Sequence, residues 1–279
     1  METIAFNLPA YLERVGLTEP VTVNIEGLAR LQDAHLRAIA FENFDVLLGR
    51  GVSIDPAVVF ERLVKNRRGG YCFTTNPLLC QALCAMGFDA RVRLGRVYFG
   101  PPGPTPARLH ALVLVNLRGQ TYLVDSGFGA HTPRVLLPLR DGAELHALDR
   151  TWRLKSDPEH GWRLYDLTPE GWRDLYVFDD ANAYPMDVEV ANFWISGCAM
   201  SPFVNLALIV RHTPTGRVTL LNRVVRRYEG KACETTEIQT LQQFKSFVQD
   251  EMALDLRADD EQWQGLWQKI GGDPMPVDW

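Results

Sequence analysis

The apolar residues of this chain change period at Gly87, and that change limits the folds open to it. Before Gly87 they recur at helical spacing: Leu28, Leu31, His35, Leu36 and Ile39 share one stripe, and Val59, Phe60, Leu63 and Val64 another. Asn7 with Pro9, Asn24, and Asp55-Pro56 are helix starts, while Gly16 and Gly69-Gly70 are stops. A fourth helical pattern runs from near Cys72 to Met86. Pro77 disturbs it, because proline lacks an N–H and pushes the preceding Asn76 away from helical angles. Either the regular helix begins at Pro77 with Asn76 as its cap, or the first turn is irregular.

From Ala90 to Phe99 the pattern alternates as a strand does, and Gly100 to Pro106 is a proline-rich loop. Leu109–Val115 reads as a buried strand, Asn116 to Gly119 as a turn, and Thr121–Val124 as the returning strand. Further short strands are expected at Val135–Leu137, Thr151–Leu154, Trp162–Asp166 and Leu175–Phe178. Short strands with frequent turns suggest a barrel or small sandwich. The last third is mixed: a helix at Asp187–Ile195, a hairpin of Phe203–Arg211 with Arg217–Val225, and helices at Leu241–Met252 and around Trp263, Leu266, Trp267 and Ile270.

Composition excludes several classes. The 279 residues carry a net charge of −5 and are 46% hydrophobic, enough for a sizeable core. Mild acidity without a dense basic run gives no reason to expect nucleic acid as partner. No apolar run reaches the roughly 18 residues that span a bilayer, and the N-terminus has no leader-like pattern, so a cytoplasmic protein with no membrane partner is expected. The five cysteines, Cys72, Cys80, Cys84, Cys198 and Cys233, form no Cys-x-x-Cys pair. An odd, sparse set argues for a reducing compartment and against both a disulfide framework and a structural zinc. Cys80 and Cys84 are expected to pack in the core from one helix face.

Chemistry concentrates at Arg67-Arg68-Gly69-Gly70-Tyr71-Cys72-Phe73-Thr74-Thr75-Asn76. A thiol attacks only as thiolate, and both adjacent positive charge and a helix N-terminus favour that form. Cys72 is therefore a candidate nucleophile, the alternative being a small core residue. A nucleophile of this kind needs a base, and the base an orienter. His110 heads the strand Ala111–Val115, and Asp125 ends the strand expected to pair with it, just before Ser126-Gly127-Phe128-Gly129. A hairpin would bring both to one end, where the carboxylate could hold a protonated imidazole against Cys72. The other reading makes His110 a surface residue and Asp125 a turn residue; spacing alone leaves both open. His131, His146, His160 and His212 fall in turns or polar stretches with no zinc-like spacing, which argues against a metal centre.

Together these pieces resemble the arylamine N-acetyltransferases. Phe41-Glu42-Asn43 resembles that family's N-terminal signature; Arg68-Gly69-Gly70-Tyr71-Cys72-Phe73 with Asn76 resembles its nucleophile motif. His110–Val115 and Asp125-Ser126-Gly127-Phe128-Gly129 are similar to its histidine and aspartate segments, and Phe193-Trp194 with Ser201-Pro202-Phe203 to the start of its C-terminal part. The order holds from about residue 5 to residue 250. The resemblance implies an α+β fold with a cysteine-protease-like core: a helical bundle carrying the cysteine over 1–87, an antiparallel β-barrel carrying His and Asp over 88–185, and a C-terminal α/β lid over 186–279. It implies a ping-pong reaction in which acetyl passes from acetyl-CoA, a co-substrate rather than a tightly bound cofactor, to Cys72 and then to an arylamine, arylhydrazine or N-hydroxyarylamine. His110 would shuttle protons and Asp125 orient it. Phe41, Tyr71, Phe99 and Phe203 match substrate-cleft positions, Phe128 and Gly129 positions near CoA, and Glu42 with Arg68 a structural pair. A monomer or homodimer is expected.

The chain departs from the family pattern at Thr74, where glutamate is usual, and at Pro77, Ala40 and Ser126. Three rival functions share these residues: an acyltransferase or amide synthase using another acyl thioester, a transglutaminase-like thiol hydrolase, and a silent ligand-binding protein.

Overall fold

A computed structural model describes residues 6–98 and 103–271. Helices α1 (Leu8–Val15) and α2 (Ile25–Ala38) start where Asn7 and Asn24 accept hydrogen bonds from Ala10 N and Gly27 N. Caps of this kind contribute about 1 kcal/mol each. Strand β1 (Phe41–Glu42) and the single turn α3 (Phe44–Leu47) follow. Helix α4 (Pro56–Phe60), capped by Asp55, continues through a wider π turn at Glu61–Lys65. Helix α5 (Cys72–Ala85) then runs straight through Pro77. Neither reading of this segment holds: the helix is regular from Cys72, with Pro77 inside it and Asn76 within the first turns rather than capping it. Pro77 withholds its N–H from the Phe73 carbonyl, but the first turn is held by Thr74 N and Thr75 N donating to Tyr71 O at 2.8 and 3.0 Å.

The central region is an eight-stranded antiparallel sheet of β2 (Asp89–Val97), β3 (Arg108–Leu117), β4 (Gln120–Val124), β5 (Leu137–Pro138), β6 (Ala143–Ala147), β7 (Arg150–Asp157), β8 (Gly161–Thr168) and β9 (Gly171–Phe178). Its order is β5-β4-β3-β2-β9-β8-β7-β6, and the edge strands β5 and β6 meet, so the sheet is a nearly closed barrel. Strand β3 shows why the sequence read as a continuous apolar run. Leu112 and Leu114 face the barrel interior with Leu154, Leu164 and Trp152, whereas Val113 and Val115 pack under α1, α2 and α5. Both faces are covered, so alternation of polarity disappears.

The last third holds α6 (Pro185–Gly197), the turn α7 (Pro202–Asn205), β10 (Leu208–His212), β11 (Gly216–Leu221), β12 (Val224–Glu229), β13 (Ala232–Glu237), α8 (Leu241–Ser246) with a π turn at Phe247–Glu251, and α9 (Asp260–Lys269). Its sheet has the order β1-β10-β11-β12-β13, so Phe41 and Glu42 pair with Val210 and Ile209 across most of the chain length.

Several expectations are corrected. Phe203 is helical, because Ser201 caps a turn begun by Pro202, and Val224–Val225 belong to β12. Strand β13 was not foreseen: each of its six residues is exposed, so it carries no alternating pattern. Cys84 is exposed, its sulfur turned toward the Ala90 carbonyl, while Cys80 is buried as expected. His131, in the short turn Gly129–His131, and His212, at the end of β10, are both buried. Phe99 lies outside the described residues. Among the described residues no helix is long and apolar enough to cross a membrane.

Candidate active site

Cys72 is the first residue of α5 and 4% exposed. Its sulfur thus lies at the end of the helix where unpaired N–H groups and the macrodipole favour negative charge. His110 stands on the face of β3 that carries Leu112 and Leu114, wedged between Tyr176 and Phe128 with ring centroids 4.8 and 4.9 Å away. Asp125 follows the last residue of β4. Because β3 and β4 pair as an antiparallel hairpin with Val113 opposite Val124, both residues come to one end of it. His110 Nε2 and Asp125 Oδ2 are 2.7 Å apart. With Nε2 so engaged, Nδ1 is the ring nitrogen left free to serve the Cys72 sulfur.

The electrostatics follow from two opposed effects. Burial favours a neutral imidazole and works to lower the His110 pKa, but the Asp125 carboxylate, its hydrogen bond and the Cys72 sulfur outweigh it and raise His110 to about 10. For Asp125, burial works upward and is overcome by His110, Asn76 and the Gly127 N–H, so its pKa lies below the ordinary value. The pair is a buried imidazolium–carboxylate at neutral pH.

Four donors converge on Asp125. Oδ1 accepts from Asn76 Nδ2 at 2.9 Å and Gly127 N at 2.8 Å; Oδ2 accepts from Tyr176 Oη at 2.8 Å as well as from His110. Asn76 is fully used. It donates also to Ala111 O at 2.6 Å, and its Oδ1 accepts from Ser126 N and Ser126 Oγ at 2.8 and 3.0 Å. One side chain, one turn along α5 from Cys72, therefore fixes both β3 and the Asp125 loop against the nucleophile helix. Thr75 Oγ1 reaches Ser126 O at 3.3 Å, and Gln32 Nε2 holds Asp125 O at 3.0 Å from α2. Thr74 Oγ1 bonds Tyr71 O at 3.0 Å. Both threonines are fully buried and act on the backbone of the nucleophile turn.

Gly127 lies against Cys72. A Cβ there would sit 2.5 Å from Cys72 Cα, 2.9 Å from Cys72 Cβ and 2.9 Å from Asn76 Nδ2. Gly127→Ala is expected to cost about 1–3 kcal/mol of stability through overpacking and, by displacing the sulfur, about two orders of magnitude in turnover. Urea unfolding and kcat, measured side by side, check this; a variant with unchanged kcat would show that the contact yields without moving Cys72.

Around the cysteine, Phe41, Tyr71 and Phe203 form one apolar cluster with Phe73, Leu94 and Ile195. The Tyr71 and Phe203 rings are 5.4 Å apart and those of Phe41 and Phe203 6.0 Å. Tyr71 Oη donates to Asn192 Oδ1 of α6 at 2.7 Å, and Asn43 clamps the α7 segment through Phe203 O and Leu206 O, both at 2.7 Å. Phe128 belongs to the barrel cluster, and the backbone of Gly129, at φ +58°, faces the Phe41 ring.

Glu42 and Arg68 are joined at 3.0 Å, within a larger network. Arg62 reaches Glu42 at 3.3 Å and Asp45 at 3.0 Å, and Arg68 reaches Asp45 at 3.2 Å. Glu42 also accepts Phe44 N. Sequence reasoning missed Arg62, Asp45, Gln32, Tyr176 and Asn192. For Asp45 a signal existed: a carboxylate set among Phe44, Val46 and Leu47 must be paired if that turn is buried. For Tyr176 there was none, since its partner lies far off in sequence on another strand.

Comparisons with known proteins identify the family and the fold. The sequence profile of a family described as N-acetyltransferase matches residues 24–261. An arylamine N-acetyltransferase / N-hydroxyarylamine O-acetyltransferase of Salmonella typhimurium is 35% identical over 251 residues, covering 88% of each chain. The solved arylamine N-acetyltransferase of the same organism superposes with a TM-score of 0.88 at 31% identity, covering 94% of this chain and 97% of that one. The Mycobacterium marinum arylamine N-acetyltransferase in complex with CoA gives 0.87 at 28% identity, covering 95% and 98%.

Proposed function

The chain belongs to the arylamine N-acetyltransferase family, and from that membership we propose that Cys72, His110 and Asp125 carry acetyl transfer through a cysteine thioester. The protein is an acetyltransferase that acetylates arylamines. In the first half-reaction the Cys72 thiolate attacks the acetyl carbonyl of acetyl-CoA. The new C–S bond forms, the bond to CoA breaks, and the CoA thiolate leaves with the proton of the His110 imidazolium. In the second, the amine nitrogen attacks the thioester. Neutral His110 takes the proton the nitrogen sheds, and Cys72 departs as thiolate, which restores the starting pair. Splitting the transfer in two replaces one encounter of three groups by two of two.

The observation that supports this reading best is the burial together of Cys72, His110 and Asp125, with His110 2.7 Å from the Asp125 carboxylate and the sulfur at a helix N-terminus. Phe41, Tyr71 and Phe203 beside Cys72 suit a flat aromatic acceptor; Phe128 and Gly129 are proposed to meet CoA, and Glu42 with Arg68 to lock the nucleophile turn. The unpaired state of all five cysteines supports a reducing, cytoplasmic setting.

Acetyl-CoA alone is expected to release about one equivalent of CoA per enzyme in a burst and to leave one acetyl group on the peptide containing Cys72. Anilines, hydrazines and N-hydroxyarylamines should then discharge it. A longer acyl-CoA that clearly outperforms acetyl-CoA would favour the acyltransferase of other donors, and amide cleavage without CoA the thiol hydrolase.

A further inference from the structure

Away from the acetyl-transfer centre, a cavity of about 300 Å3 opens between the end of α1, α2, the Arg67 segment, β10 and the stretch after Glu251. Four arginines line it, Arg14, Arg37, Arg67 and Arg211, against a single carboxylate, Glu13. Neither Cys72, His110 nor Asp125 reaches it.

Only one of the four arginines has a carboxylate partner among the described residues. Arg37 pairs with Asp33 at 2.8 Å. Arg14 is buried and bonds only to backbone carbonyls: Nε to Leu63 O at 2.9 Å, and Nη2 toward Arg67 O and Arg68 O at 3.4 Å. Arg211 Nη1 likewise donates to a carbonyl, that of Glu251, at 2.8 Å. Among the described residues Arg14, Arg67 and Arg211 have no carboxylate at ion-pair distance. Burial, then the charges of Arg67 and Arg211, depress Arg14 to about 10, which reports the same crowding of like charge.

Two residues at the rim, Arg67 and Ala253, each hold a left-handed backbone at φ +53°. Non-glycine residues seldom do so, and such strain concentrates at ligand clamps and functional turns. Capping of backbone carbonyls accounts for Arg14. It does not account for the exposed Arg67 and the half-buried Arg211 lining the same cavity without an ion-pair partner, Glu13 being the one carboxylate in the lining.

We propose that this cavity is a second ligand site, for a small, multiply charged oxyanion of the phosphate or pyrophosphate class, separate from the CoA site. Guanidinium groups present paired N–H donors that match phosphoryl oxygens, and an anion here cancels the mutual repulsion of three arginines. The cavity joins the N-terminal helices to the C-terminal sheet, so an occupant ties the two together just before the nucleophile turn.

Isothermal titration of the full chain with pyrophosphate, at constant ionic strength set by sodium chloride, tests the site. One equivalent should bind. Arg67→Gln and Arg211→Gln should each weaken it about tenfold, the loss of one charge-assisted contact, while Arg30→Gln on the outer surface of α2 changes nothing. A measurement on the unaltered protein stands beside these: pyrophosphate should slow modification of Arg67 and Arg211 by phenylglyoxal. Absence of binding, equal binding by both glutamine variants, or displacement of pyrophosphate by CoA would overturn the proposal.

Discussion

Cys72→Ala is expected to lower acetyl transfer by at least about four orders of magnitude, the usual consequence of deleting a nucleophile from a triad. CoA should still bind, because the residues proposed to meet it, Phe128 and Gly129, sit on the barrel loop rather than on α5. Cys72→Ser should fail almost as completely, since a hydroxyl does not supply the ready anion a thiol does. Neither change should unfold the protein: the turn around residue 72 is built from backbone bonds to Tyr71 O and from Asn76, not from the sulfur. Burst release of CoA and the thermal midpoint, read on the same samples, check both halves. Full activity in the alanine variant would end the thioester mechanism.

Asp125→Asn should cost nearly as much by a different route, about four orders of magnitude in kcat with the nucleophile still present. The carboxylate accepts from four donors: Asn76, Gly127, His110 and Tyr176. An amide offers one oxygen and one NH2, so two of these donors face another donor, at about 1–3 kcal/mol for each buried group left unsatisfied. With the negative charge gone, burial is opposed only by the Cys72 sulfur, and the His110 pKa falls. The sign of the pH effect follows. In the native protein His110 is raised from about 6.5 to about 10, so its stabilising contribution is complete below pH 6.5 and disappears as pH rises through 10. Asp125 is lowered, so its contribution holds above the ordinary carboxylate range and is lost as pH falls through its depressed value. The rate of Cys72 acetylation should therefore keep its imidazolium-dependent limb up to about pH 10, and Asp125→Asn should move that limb down by several units. A native limb near 6.5 would refute the paired imidazolium.

How far the sequence reached depends on how local each determinant is. Helices with caps at Asn7, Asn24 and Asp55 were legible because a cap acts within three residues. The hairpin that brings His110 to Asp125 was legible for the same reason, since only a short turn separates β3 from β4. The fold class and the family were legible from the ordered motifs. What stayed hidden was non-local. The hydroxyl of Tyr176 meets Asp125 only because β9 pairs with β2 in the barrel. The Arg67–Arg211 cavity depends on β10 lying beside the nucleophile segment. Pro77 misled for an opposite reason: its local rule is sound, but fixed tertiary bonds from Asn76 and Thr75 hold the turn helical in spite of it.

Strand β1 is only two residues long, yet it has a mechanical consequence. Phe41 and Glu42 pair with β10 on one side, while Glu42 N and Ala40 O bond Gly70 on the other. The C-terminal sheet is thereby sutured to the turn that presents Cys72. Swinging that sheet aside would break the bonds between Gly70 and the Ala40–Glu42 backbone. Substrates are then admitted by small shifts of side chains and loops around this joint rather than by its opening.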